Sequence, residues 1–211
     1  MRNTATDMVV YKSTALPQST VTVVAATDVL TTAAAHGFTV GDKLQFTTAT
    51  TLPAGLSLLT NYYVISIPST TTLKVSATPG GTTVDITTTG TGAHTYHLKG
   101  RMIYVGDYED VTFALNFVTS PTMTIKFQAS TQLDSVDASL AQSATNRWDY
   151  LDATDSEDGT SIDGDTGVSC AGTADNRMFT VTTAGKQWVS ADVTSWTAGT
   201  VGIVVTAYNN N

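Results

Sequence analysis

Residues 111–129 read Val111-Thr112-Phe113-Ala114-Leu115-Asn116-Phe117-Val118, then Thr119-Ser120-Pro121, then Thr122-Met123-Thr124-Ile125-Lys126-Phe127-Gln128-Ala129. Apolar side chains recur at every second position: Val111, Phe113, Leu115 and Phe117, then Met123, Ile125 and Phe127. Successive side chains of a strand point to opposite faces, so each run has one apolar and one polar face. Ser120-Pro121 breaks the pattern, and proline presets φ for a turn. The spacing predicts a hairpin of strands 111–118 and 122–129, one face buried and the other wet.

The same reading extends in both directions. Downstream, strands are expected near Trp148–Asp152, Val168–Ala171, Met178–Thr182, Gln187–Ala191 and Thr200–Tyr208. Asp134–Ala144 is the only helix candidate. Upstream, Val21–Val24, Lys43–Phe46, Tyr62–Ile67 and Leu73–Ser76 read as short strands. Pro53-Ala54-Gly55, Pro68-Ser69-Thr70 and Pro79-Gly80-Gly81 separate them as turns. The expected fold is all-β. A small β-barrel-like or sandwich N-terminal module precedes a C-terminal antiparallel β-sandwich.

Composition agrees. Of 211 residues 41% are apolar, enough for a core, and only 13% are charged. Polarity comes from 42 threonines, β-branched residues that suit a wetted sheet face. Charge divides the chain. Residues 1–98 carry four positive and four negative side chains, whereas 99–211 carry six and 14. All three histidines lie in the first part and all three tryptophans in the second. The expected organisation is an N-terminal arm or strand over 1–16, a small β module over 17–99 and a β-sandwich over 100–211. Asp7–Thr14 reads as a strand of its own. Pairing it with the second domain makes the first an insertion; pairing it locally does not.

The net charge of −8 argues against nucleic acid and against anionic lipid, both of which need clustered Lys and Arg. Residues 1–8 lead into no apolar signal-peptide core, and no apolar run is long enough to span a membrane. A single cysteine, Cys170, leaves no internal disulfide. Synthesis and folding in a reducing cytosol are the expectation.

Candidate chemistry is sparse. Residues 149–165 hold seven carboxylates: Asp149, Asp152, Asp155, Glu157, Asp158, Asp163 and Asp165. Calcium takes six to eight oxygens, so Asp155, Glu157, Asp158, Asp163 and Asp165 form a calcium candidate. The alternative is a solvated acidic surface whose Asp-Gly steps make turns. His94 and His97 could share a metal, but nothing nearby completes the shell, and His36 precedes a turn glycine. Cys170 sits in an apparent strand and reads as a buried, inert thiol. No phosphate loop or dinucleotide fingerprint occurs, and no catalytic residue or cofactor is expected. Trp148, Trp188 and Trp196 read as packing residues rather than glycan platforms. Tyr62 and Tyr63 must point to opposite faces.

One stretch carries a resemblance. His36-Gly37-Phe38-Thr39-Val40-Gly41-Asp42 is followed by Leu52-Pro53-Ala54-Gly55-Leu56 and Asn61-Tyr62-Tyr63-Val64-Ile65. Thr72-Leu73-Lys74-Val75-Ser76-Ala77-Thr78-Pro79-Gly80-Gly81 and Gly90-Thr91-Gly92 complete it. This order resembles a small β module of tailed-bacteriophage structural proteins. Less sharply, the second half resembles phage decoration and accessory tail proteins. Val105-Gly106-Asp107-Tyr108, Ile125-Lys126-Phe127-Gln128-Ala129-Ser130, Trp148-Asp149-Tyr150, Ile162-Asp163-Gly164-Asp165-Thr166-Gly167, Trp188-Val189 and Thr197-Ala198-Gly199-Thr200-Val201 carry that likeness. The resemblance implies a virion protein made in the bacterial cytoplasm, with no catalytic residues to carry over. The expected role is capsid decoration (cement) on the head exterior. Its partners are then the major capsid protein and copies of itself, as trimers or dimers. The alternative is a tail, baseplate or fibre component, with host-surface glycan binding. The arm Met1–Pro17 is expected to order on contact with the shell or a neighbouring copy.

Overall fold

The computed structural model describes residues 8–134, 147–172 and 175–209. All regular structure in them is strand. In chain order the strands are β1 (Met8–Tyr11), β2 (Gln18–Val24), β3 (Val29–Thr32), β4 (Lys43–Thr48), β5 (Tyr62–Ser69) and β6 (Thr72–Ser76). They continue with β7 (His94–Lys99), β8 (Ile103–Tyr104), β9 (Asp110–Phe117), β10 (Thr122–Ser130), β11 (Trp148–Tyr150) and β12 (Ala153–Asp155). The last five are β13 (Ser161–Ile162), β14 (Val168–Ala171), β15 (Arg177–Thr182), β16 (Trp188–Ala198) and β17 (Val201–Tyr208). The helix candidate Asp134–Ala144 falls almost wholly outside the described residues.

The chain divides into two compact units. One joins the chain up to Ser13 to the chain from Gly100 onward; the other runs from Thr14 to Lys99. The smaller unit is thus inserted into the larger. Backbone bonds hold both sides of the junction. In the larger unit the Arg101 N–H donates to the Val10 carbonyl at 3.1 Å. In the inserted unit the Leu98 N–H donates to the Pro17 carbonyl at 2.7 Å. Entry and exit strands so tied are what an insertion needs.

The larger unit is a sandwich of two antiparallel sheets. One has the order β1-β17-β9-β15-β12-β13. The other has the order β11-β10-β16-β8, with β14 also pairing β10. The expected hairpin of 111–118 with 122–129 does not form. β9 pairs with β17 and β15, whereas β10 pairs with β16, β11 and β14. The two runs lie in different sheets and turn their apolar faces toward each other. Phe113 stacks on Phe127 with ring centroids 4.3 Å apart, and Phe179 tilts against Phe127 at 5.6 Å. Alternation predicts which face is buried, but an arch between two sheets satisfies it as well as a hairpin within one. In the arch the two apolar faces cover each other directly.

The inserted unit is a closed barrel, β2-β3-β6-β5-β4-β7, with every neighbouring pair antiparallel. Closure leaves a small unit with no long free edge. Its core holds Leu30, Leu44, Phe46, Tyr62, Val64, Leu73 and Tyr96, each 2% exposed or less. The His36–Asp42 stretch has a physical reason. Gly37 takes φ +68°, and a Cβ there would stand 1.8 Å from the Thr14 carbonyl oxygen. Only glycine passes so close to the entering chain. Across it the Phe38 N–H donates to His36 Nδ1 at 2.9 Å, and the two rings stack at 4.7 Å. Thr39 to Asp42 then forms a turn, with Gly41 at φ +94° and the Thr39 N–H donating to Asp42 Oδ2 at 2.8 Å.

Phe127 is the ring that both Phe113 and Phe179 meet. Phe127→Ala is expected to destabilise the sandwich by about 3–5 kcal/mol. Denaturant unfolding followed by tryptophan fluorescence reads this unit alone, because the barrel has no tryptophan. A loss below about 1 kcal/mol would show that the aromatic stack is not what joins the sheets.

Candidate functional site

The acidic segment spans β11 to the start of β14 and makes a small hairpin, β12 with β13. Five of its seven carboxylates, those of Asp149, Asp152, Asp155, Asp158 and Asp163, accept backbone N–H groups, and Asp155 also forms an ion pair. Asp152 Oδ1 accepts the Gly164 N–H at 2.8 Å. Asp158 Oδ1 accepts the Thr160 N–H at 2.8 Å, and Asp163 Oδ1 accepts the Thr166 N–H at 2.9 Å. The Thr160 backbone N–H, then its hydroxyl, hold the Asp158 carboxyl below its ordinary range. Asp149, Asp152, Glu157, Asp158, Asp163 and Asp165 are all exposed. Like charges spread over a wet surface are screened and need no central cation.

Asp155 differs. It is 2% exposed, at an inward position of β12. Arg177 at the start of β15 donates to Asp155 Oδ2, and the Glu157 N–H donates to Oδ1 at 3.0 Å. The Arg177 guanidinium also lies 4.8 Å from the Phe179 ring centre. Burial disfavours the Arg177 charge, but the Asp155 hydrogen bond and charge outweigh it and raise its pKa. Of the calcium candidates, Asp155 is therefore occupied by an internal cation. Among the described residues no three His, Cys, Asp or Glu side chains are gathered so as to hold a metal ion. Arg177 escaped sequence reading. The available signal was its parity: it shares the inward side of β15 with Phe179, where a cation needs an acid.

The histidines all belong to the barrel. His94 and His97 stand three apart on β7 and so face opposite sides of the strand, which rules out one shared metal. His94 is buried, with Nδ1 2.9 Å from the Thr48 hydroxyl and Nε2 3.0 Å from the Thr89 carbonyl. His97 Nε2 lies 2.9 Å from the Thr47 hydroxyl. His36 is 1% exposed. Burial lowers its pKa; the Thr72 and Ser69 backbone and the Asp42 charge only partly offset this. A cleft of about 360 Å³ opens between β2 and residues 89–94, with Thr20, Thr22, Thr89 and His94 among its walls. Its single titratable wall residue, His94, already has both ring nitrogens engaged. The cleft has shape and hydroxyls, and no acid–base group in reserve.

The remaining candidates are packing groups. Cys170 is buried on β14, and burial pushes its thiol up to about 11. Trp148 is 3% exposed and packs with Met102 and Trp188. The Trp188 indole N–H donates to the Gln132 carbonyl at 3.1 Å, and that of Trp196 to the Gly199 carbonyl at 2.8 Å. Tyr62 is buried in the barrel and Tyr63 is half-exposed, on opposite faces of β5.

Two outcomes test these assignments. Arg177→Ala strands the buried Asp155 carboxylate and is expected to cost about 3 kcal/mol of sandwich stability. Adding Asp155→Asn should recover part of that loss; full additivity of the two in a denaturant cycle would mean the pair does not interact. For His36 the sign runs through the unfolded chain, which binds protons from about pH 6.5 downward while the folded chain resists them. Barrel stability is thus retained above that value and lost as the pH falls toward the lower folded pKa. His36→Gln should flatten this loss in far-ultraviolet melts across that window, and an unchanged slope would contradict it. Comparison of the chain with family models, curated proteins and solved structures returns no match.

Proposed function

We propose that the chain is a structural protein of a tailed-bacteriophage virion, a capsid decoration (cement) protein on the head exterior. It stabilises the shell through contacts with the major capsid protein and with copies of itself. The observation that supports this reading is the use of polar groups. The histidines, the indoles and most carboxylates of the acidic segment are tied into turns, side-chain hydrogen bonds, an ion pair or packing. Two all-β units remain, each with its own core, one electrically neutral and one carrying the whole net negative charge. Such a molecule acts by the surfaces it presents. Each copy that binds only the closed lattice adds its binding free energy to that lattice, so many modest contacts sum to a large effect. The motif running from His36 to Gly92 resembles a phage β module and directs the reading to virions.

Immunogold electron microscopy of intact virions, with antibody to this chain, is the first test. Gold spread evenly over heads is the expected result. Adding the purified protein to shells that lack it should then raise the temperature at which they break. Gold confined to the tail or its tip would replace the cement role with that of a tail, baseplate or fibre component.

A further inference from the structure

The outer face of the six-stranded sheet has an unusual composition. Val9, Val204, Ala114 and Met178 stand side by side across β1, β17, β9 and β15. Their side chains point away from the core, because the alternate residues Phe113, Phe179, Ile203 and Val205 are fully buried. Val9 is 42% exposed and Met178 55%. The next row is hydroxylic: Thr206, Thr112, Thr180, Thr154 and Ser161 lie in register across β17, β9, β15, β12 and β13. The outward positions of these strands among the described residues include one charge, Asp110, at the end of β9.

The charge balance says what can cover this face. Residues 99–211 carry 14 acids against six bases. Two copies approaching on other surfaces of the sandwich would set acid against acid, which costs several kcal/mol when desolvated. On this face the central rows meet as methyl, thioether and hydroxyl groups. A threonine hydroxyl both donates and accepts, so a row of them can bond to the same row in another copy. An isologous contact requires that kind of self-complementarity. With strands about 4.8 Å apart and outward residues about 6.8 Å apart along each, the nine residues of these rows cover roughly 300 Å² per copy. That is smaller than a standard interface, so association through these rows is weak and reversible.

We propose that the outer face of the β1-β17-β9-β15-β12-β13 sheet is a docking surface for a second copy of this chain, sheet against sheet about a two-fold axis. The proposal deepens the virion reading, from which the need for copy-to-copy contacts comes. It also narrows that reading to even-numbered association through this face.

Sedimentation equilibrium of the full chain over a concentration series tests it. The expected result is a monomer–dimer equilibrium that Val9→Glu and Met178→Glu each weaken at least tenfold. Both positions are exposed in the single chain, so thermal melts should change little. Met178→Lys should act like Met178→Glu and serves if the acidic variant fails to fold. Leu58→Glu, at a 57% exposed position of the barrel, should leave the dimer intact. A monomer throughout the series would overturn the proposal. So would a trimer, a dimer untouched by the β1 and β15 variants, or equal sensitivity to Leu58→Glu. None of these results depends on where gold settles on a virion, so the two readings fail separately.

Discussion

The pairing of β1 with β17 governs the rest of the structure. It sets Met8 against Val205 and Tyr11 against Ile203, so the start and the end of the described chain share one sheet. The chain between Ser13 and Gly100 therefore leaves the sandwich and returns to it. The chain leaves beside Val10 and returns at Arg101, where one backbone bond ties the two crossing points. The Tyr11 hydroxyl donates to Asp192 on β16 at 3.3 Å, which links the first strand to the opposite sheet as well. Burial, then the Asp192 charge, raises the Tyr11 pKa well above its ordinary value, so the phenol stays a donor.

That constraint gives the two units different folding problems. The barrel is one contiguous stretch, and all its strand partners lie within it. The sandwich must bring β1 to a strand nearly the full chain length away, which makes its contacts highly non-local and slow to assemble. Until β17 arrives, β1 has no ladder partner and β9 lacks the partner on one of its edges. The low share of charged residues makes such surfaces prone to association, and the acidic segment supplies counteracting repulsion.

The sequence reveals faces better than neighbours. Alternation in Val111–Phe117 and Met123–Phe127 identifies the buried sides of β9 and β10, yet says nothing about which strand lies beside which. β12 is illegible for a related reason. Asp155 occupies an inward position, so the apolar period breaks there, and its counter-ion Arg177 comes 22 residues later. β7 is obscured by His94, a polar residue on the inner side with Tyr96 and Leu98, held by Thr48 and Thr89 from elsewhere. β3, Val29–Thr32, is too short to stand out. The turn role of the acidic segment is legible from its Asp-Gly steps. The outward rows are not, because they exist only once register has aligned residues from β1, β9, β15 and β17.

The β1–β17 pair has one more consequence, a mechanical one. The strands are antiparallel, and Met8, where β1 begins, lies opposite Val205, near the end of β17. Tension on the two chain ends therefore loads a single end of this ladder. Its bonds open one after another, like a zipper, rather than sharing the load in shear. The chain enters the inserted unit only after Tyr11, the last residue of that ladder, so a pull on the chain ends peels the first strand before any force reaches the inserted unit.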